Sequence, residues 1–202
     1  MYKRQIIYTS SPVFIIILSV FLFREKIGAN RIIGLIICLV GVITIITKGN
    51  INYLIDFRFT SGDFWMLGAA VGWALYSIYL LNWKSKFSLM GRFTLIAFFG
   101  FISLFPFYMI EEALIFDTKF NSIFLAWVLF AAISPGIIAF SLYTKVQRYL
   151  GASLTGFTLY LFAVYGAIFG IILFEEMLLP FHYYGGALVF AGVYIARKIK
   201  TI

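Results

Sequence analysis

The chain is 202 residues long, with a mean hydropathy of +1.01, 63% hydrophobic side chains and 12% charged ones. Soluble domains carry about a quarter charged residues, so an ordinary water-facing fold is excluded. The net charge of +8 comes from 16 basic and 8 acidic residues scattered between apolar runs, which leaves no basic stripe to follow a phosphate backbone and argues against nucleic acid as a partner.

The composition is that of a multi-pass membrane protein. An α-helix rises 1.5 Å per residue, so about 20 apolar residues cross a hydrocarbon core of roughly 30 Å. With that ruler the chain predicts seven spans, near Ile6–Phe23, Ala29–Thr47, Phe64–Leu81, Phe93–Ile110, Ile123–Tyr143, Leu154–Phe174 and Phe181–Ala196. Polar knots separate them: Arg24-Glu25-Lys26, Lys48 to Asp63, Asn82 to Arg92, Glu111 to Asn121, Lys145 to Arg148, and Glu175-Glu176. The runs are continuous instead of alternating on a period of two, which favours helices over barrel strands. A signal peptide at the start is disfavoured, because no small-residue cleavage pattern follows and Arg24-Glu25-Lys26 closes the run.

The loops alternate in charge. One side collects Arg24, Lys26, Arg31, Lys84, Lys86, Arg92, Lys145, Arg148, Arg197, Lys198 and Lys200, with Glu25 as its one acid. The other holds Lys3, Arg4, Lys48, Arg58 and Lys119 with Asp56, Asp63, Glu111, Glu112, Asp117, Glu175 and Glu176. The positive-inside rule puts the first group in the cytoplasm, so the C-terminus lies inside and the chain starts outside. A chain that starts outside with a short first span is expected to be the later portion of a longer polypeptide.

Sliding the sequence by 151 positions aligns Val13–Val42 with Val164–Val193 without a gap. Eight of the thirty pairs are identical: Val13/Val164, Ile17/Ile168, Leu22/Leu173, Phe23/Phe174, Glu25/Glu176, Gly34/Gly185, Gly41/Gly192 and Val42/Val193. About three would match by chance in so skewed a composition. Five crossings separate the two copies, so they enter the membrane in opposite directions, as in transporters built from inverted repeats.

Tyr8-Thr9-Ser10-Ser11-Pro12-Val13-Phe14, the Phe21-Leu22-Phe23-Arg24-Glu25 ending and Gly34…Gly41-Val42 resemble the EamA-type repeat of the drug/metabolite transporter superfamily. So does the second copy, from Gly62-Asp63-Phe64 through Trp73-Ala74-Leu75-Tyr76 to Glu176, Gly185 and Gly192, although Ala163 stands where the first copy has Pro12. The resemblance implies ten helices in two five-helix repeats with both termini in the cytoplasm. The expected fold is therefore all-α and integral to the membrane. Residues 1–48 hold the last two helices of one repeat, 49–61 an external linker, and 62–202 a complete second repeat. The first three helices are absent, so the recorded sequence is expected to be truncated at its start. The implied function is secondary transport of a small organic solute across the plasma membrane, without catalysis or cofactor.

Particular residues carry further expectations. Glu25 and Glu176 read as interfacial carboxylates paired with neighbours such as Lys26 or Arg31, since neither lies at mid-membrane. Gly68-x-x-x-Gly72 and Gly166-x-x-x-Gly170 each place small residues on one helix face for close packing, and Gly34/Gly41 and Gly185/Gly192 do the same at a spacing of seven. Pro135, in Ser134-Pro135-Gly136, has no N–H and predicts a kink. The freed carbonyl near Ala131 is met by a neighbouring hydroxyl or by a ligand. Trp73, Tyr76 and Ser77 share one helix face, and Thr158 and Tyr165 another, with Tyr160 nearby. With Ser134 these are the candidate lining of a path for an amphipathic or cationic solute.

Other classes fit less well. A seven-helix receptor or retinal protein is suggested only by the count of spans; the repeat argues against it, and retinal attachment needs a lysine inside the last span, where Phe181–Ala196 has none. An enzyme needs a Ser/His/Asp set, a His-Glu-x-x-His run or an intramembrane acid pair. None is present, and His182 has no evident partner. One cysteine, Cys38, and one histidine exclude a disulfide framework and a Cys/His metal cluster. A membrane-embedded scaffold that moves no solute, or an inactive fragment, is the remaining alternative.

Overall fold

The structure, a computed structural model, describes residues 7–50, 52, 60–82, 85–114, 121–174 and 177–197. Among them the secondary structure is entirely helical. In chain order the elements are α1 (Ser11–Phe23), α2 (Ala29–Ile46), α3 (Ser61–Asn82), α4 (Leu89–Leu114), α5 (Ser122–Ala131), a π-helical segment (Ala132–Ala139), α6 (Phe140–Gly156), α7 (Thr158–Phe174) and α8 (Pro180–Arg197).

Seven full spans are expected, and four described stretches are long and apolar enough to cross a membrane: Ala29–Ile46, Ser61–Asn82, Gly91–Glu111 and Ser122–Gly156. Helices α1 and α7 are shorter, at 13 and 17 residues. Helix α8 has 18 residues but carries His182, Tyr183, Tyr184 and Arg197, which dilute its hydropathy. The fifth expected span also ends later than the charged knot Lys145–Arg148 predicts, because helix continues through those residues. Long basic side chains can lay their stems along apolar surface and keep their charges in water, so they need not end a helix.

Local chemistry explains the helix ends. Helix α1 closes on Arg24 in the left-handed region (φ 50°), and the N–H of Glu25 donates to the Ser19 carbonyl at 3.2 Å. Glu25 then pairs with Arg31 at 2.8 Å, tying the hairpin to the first turn of α2. Its repeat counterpart Glu176 lies outside the described residues. Helix α3 starts with one half of a capping box: Asp63 Oδ2 accepts from the Thr60 N–H at 2.8 Å, and also from the Thr60 hydroxyl at 2.9 Å. Asp63, the last residue of the polar knot that begins at Lys48, is buried at 4% exposure.

His182 also has a partner, a backbone group that sequence comparison does not display. Pro180 opens α8, and His182 Nδ1 accepts from the Leu179 N–H at 3.1 Å. The imidazole thus satisfies one of the orphan donors at a helix start. Replacing His182 with Ala should cost about 1 kcal/mol and speed amide exchange in the first turn of α8, as read by hydrogen–deuterium exchange.

The chain forms two compact units, one of residues 1–82 and 147–202 and one of residues 83–146. In the first, Ile16, Leu35, Cys38, Val42, Ile46, Phe157, Tyr160, Ala163, Val164, Val189 and Ala196 build one core cluster. Ile15, Ala74, Ile78, Ala152 and Leu159 build a second. In the second unit, the described side chains of α4 and α5 are all at least partly exposed, as suits helices whose neighbour is lipid. Rings still meet there, Phe93 with Phe140 at 5.4 Å and Trp127 with Phe130 at 6.0 Å between centroids.

Helices α2 and α8 pack against each other through glycine. A Cβ on Gly34 would stand 2.5 Å from the Gly192 carbonyl oxygen, and one on Gly192 would stand 2.7 Å from the Gly34 carbonyl oxygen. A Cβ on Gly41 would stand 2.7 Å from the Gly185 oxygen, and one on Gly185 would stand 2.7 Å from the Gly41 oxygen. Position numbers rise along α2 as they fall along α8, so the pair is antiparallel. Between the two glycine contacts the Cys38 thiol donates to the Val189 carbonyl at 3.4 Å. Under the 151-residue shift Val189 is the counterpart of Cys38, Gly192 that of Gly41, and Gly185 that of Gly34.

Candidate functional site

The interior of the first unit is polar along one stretch. On α3 the ring of Trp73 meets Tyr76 at 5.5 Å and packs against the second core cluster. Ser77, one turn further on, is fully buried. Its carbonyl accepts from Gln147 Nε2 at 2.6 Å, a contact spanning 70 positions of sequence. Gln147 is itself 1% exposed. Beyond it the helix breaks at Gly151 (φ 80°, ψ 164°), a backbone region open essentially to glycine alone. After the break Ala152 joins Ala74 and Ile78 in the second core cluster, while Ser153 and Thr155 are fully buried.

Most hydroxyls here are satisfied within their own turn. Thr155 donates to the Gly151 carbonyl at 2.7 Å and Thr158 to the Thr155 carbonyl at 2.7 Å. Three buried polar atoms have no hydrogen-bond partner among the described residues: Gln147 Oε1, Ser153 Oγ and Tyr160 OH. Leaving such a group unmatched costs about 1–3 kcal/mol each. Folded proteins normally meet such groups with a partner, water or ligand.

Of the residues proposed from sequence to line a path, Ser77 and Tyr160 are buried within the first unit, with Tyr160 edge-on to Phe157 at 6.1 Å, and Trp73 is half-buried against the second core cluster. Tyr76 and Thr158 are half-buried. Tyr165 is 48% exposed. Ser134 belongs to the other unit, in the π-helical segment with Pro135. The kink expected at Pro135 falls in that segment, where the i→i+5 spacing of a π-helix lets the N–H of Gly136 serve the Ala131 carbonyl past the proline. Close packing at Gly68, Gly72 and Gly166 has no counterpart among the described residues, where no heavy atom lies within 4 Å of a Cβ built at any of them. Gly170 is buried.

Sequence reading misses Gln147, Gly151 and Ser153. The visible signal is the run Gly151-Ala152-Ser153-Leu154-Thr155-Gly156, whose two glycines and two hydroxyls mark a helix break better than the middle of a span. Among the described residues no three of His, Cys, Asp and Glu come together as metal ligands. The buried carboxylate of Asp63 is occupied by Thr60, about 21 Å along α3 from Ser77. The chemistry on offer is that of uncharged donors and acceptors beside aromatic rings.

Comparison with known proteins agrees with this membrane-embedded, helical picture. The profile of the EamA-like transporter family matches residues 2–47 and 60–197. An "Uncharacterized transporter YetK" of Bacillus subtilis (strain 168) is 26% identical over 195 residues, covering 96% of this chain and 58% of that protein. An "Uncharacterized transporter" of Methanothermobacter thermautotrophicus is 26% identical over 196 residues, covering 96% and 55%. The chain thus spans little more than half the length of these curated relatives. A crystal structure 18% identical in sequence superposes with a TM-score of 0.76 over 99% of this chain and 68% of that one, which shows a shared fold.

Proposed function

Because the chain belongs to the EamA-like transporter family, we propose that it carries a small organic solute across the plasma membrane by alternating access between two inverted bundles. Residues 1–48 supply the last two helices of one bundle, residues 62–202 supply the other, and 49–61 link them outside the membrane. The C-terminus faces the cytoplasm, following the bias of basic residues.

The reciprocal contact of α2 with α8 carries this reading. In a self-complementary interface, if residue i of one copy meets j of the other, then j meets i. Gly34 meets Gly192 and Gly41 meets Gly185, which is that rule under the 151-residue shift, with the Cys38–Val189 bond near the local axis. An antiparallel crossing is what copies inserted from opposite sides would make. Two such halves can open in turn to either side of a shared binding place.

Two measurements test the proposal. With Cys38 replaced by serine, Lys26→Cys and Met177→Cys are expected to label from opposite sides of sealed vesicles. Labelling from the same side would end the inverted-bundle reading. Reconstituted full-length protein should show saturable counterflow of at least one small organic solute. Vesicles that exchange none faster than protein-free controls would leave the scaffold alternative standing.

A further inference from the structure

We infer that Gln147 and Ser153, set against Trp73 and Ser77 of α3, form the solute contact, and that the solute is uncharged, planar and rich in hydrogen-bond donors. The inference rests on the transport reading and narrows its substrate. One N–H of the Gln147 amide is spent on the Ser77 carbonyl at 2.6 Å, which fixes the direction in which the amide oxygen points. That oxygen is shielded from solvent and has no partner among the described residues, and the same holds for Ser153 Oγ. A preset acceptor of this kind calls for an N–H or O–H from its occupant, and the serine hydroxyl can give or take a second bond.

The place is well defined in the fold. Ala152 packs with Ala74 and Ile78 on α3, and Trp73 packs on that same cluster. Gln147 is thus held against the stretch of α3 that carries Ser77, and Ser153 directly follows Ala152, the residue that packs on that stretch. The indole supplies a flat, apolar face of the sort that receives a planar ring. Lys145 and Arg148, the nearest ionic side chains in sequence, are exposed, and the carboxylate of Asp63 is committed far along α3. An ion placed at Gln147 would lack a counter-charge, which makes its burial costly. Charge, more than size, is thus the property this place rejects.

Three probes of matched shape separate the possibilities: nicotinamide (neutral), nicotinate (anionic) and 1-methylnicotinamide (cationic). Added at millimolar concentration to the full-length protein in detergent, nicotinamide is expected to raise Tm by about 2–4 °C, and the two ions by nothing measurable. Gln147→Leu should weaken nicotinamide binding at least about tenfold, the loss of a hydrogen bond to a buried group. Ser153→Ala guards against misfolding of the first variant. It removes an unmatched hydroxyl, so it should melt no lower than the parent while binding nicotinamide several-fold more weakly. Absence of a shift with nicotinamide, an equal shift with either ion, or a shift that survives both substitutions overturns the inference. Counterflow of some solute that is indifferent to both substitutions also overturns it and leaves transport intact, whereas absence of any counterflow removes the transport reading beneath it.

Discussion

Gly192→Ala should lower Tm by roughly 6–12 °C, the equivalent of about 3 kcal/mol in a chain of this size. The new methyl would stand 2.7 Å from the Gly34 carbonyl oxygen, 2.6 Å from Cys38 Sγ and 2.8 Å from the Cys38 nitrogen. Two of those three atoms are backbone and cannot turn aside, so α2 and α8 must separate along the whole contact. Gly34→Ala acts on the same crossing, with its methyl 2.5 Å from the Gly192 oxygen. The double variant should therefore lose less than the sum of the singles, since helices already parted do not part again. Gly68→Ala, Gly72→Ala and Gly166→Ala are the controls: with no heavy atom within 4 Å, each should melt within about a degree or two of the parent, corresponding to a change of roughly 0.5 kcal/mol. Thermal melts of the purified set, read by tryptophan fluorescence, check all of these.

The second large effect is expected at Gly151. Its φ of 80° and ψ of 164° lie where a side chain clashes with its own backbone, yet no atom stands within 4 Å of a Cβ built there. The cost of Gly151→Ala is then purely conformational, about 1–3 kcal/mol. The chain would relieve it by straightening α6, which would shift Ser153 and Thr155 from their buried places and pull the Gln147 amide from Ser77. Gly156→Ala is the useful contrast. Its methyl would meet the flexible Cδ1 tip of Ile15 at 3.2 Å, so a small rotation suffices and the loss should be much smaller. Gly151→Ala should accordingly abolish counterflow while Gly156→Ala keeps most of it, and both can be measured in the same vesicles.

The parts of this molecule that depend on neighbours in sequence were legible from sequence. The Glu25–Arg31 pair sits six residues apart; the Thr60–Asp63 contact is as local but was missed, since a carboxylate at the end of a polar run does not announce its own burial. The seven-residue glycine spacing pointed to a helix contact because it occurs twice, at positions related by a constant shift. Gly68-x-x-x-Gly72 shows the limit of spacing alone: small residues permit close approach, but only a neighbour makes it happen. Gln147 was hidden for a different reason. Its partner is a backbone carbonyl 70 positions away, and backbone carbonyls are the same in every sequence. Flanked by Lys145 and Arg148, the amide reads as part of a solvated turn until the fold carries it onto α3.

The π-helical segment at Ala132–Ala139 changes how the helix around it must be read. An α-helix turns about 100° per residue, and a wider turn advances by less, so the azimuth of the helix that follows, from Phe140 to Val146, falls behind the count. Residues seven apart across the segment, such as Trp127 and Ser134 or Phe130 and Ile137, no longer look out over the same meridian. A tryptophan scan from Ser122 to Val146 should therefore show two periodic series of tolerated sites offset from each other. Deleting one residue between Ala132 and Ala139 should turn the start of α6, Phe140 to Val146, by up to that same 100°.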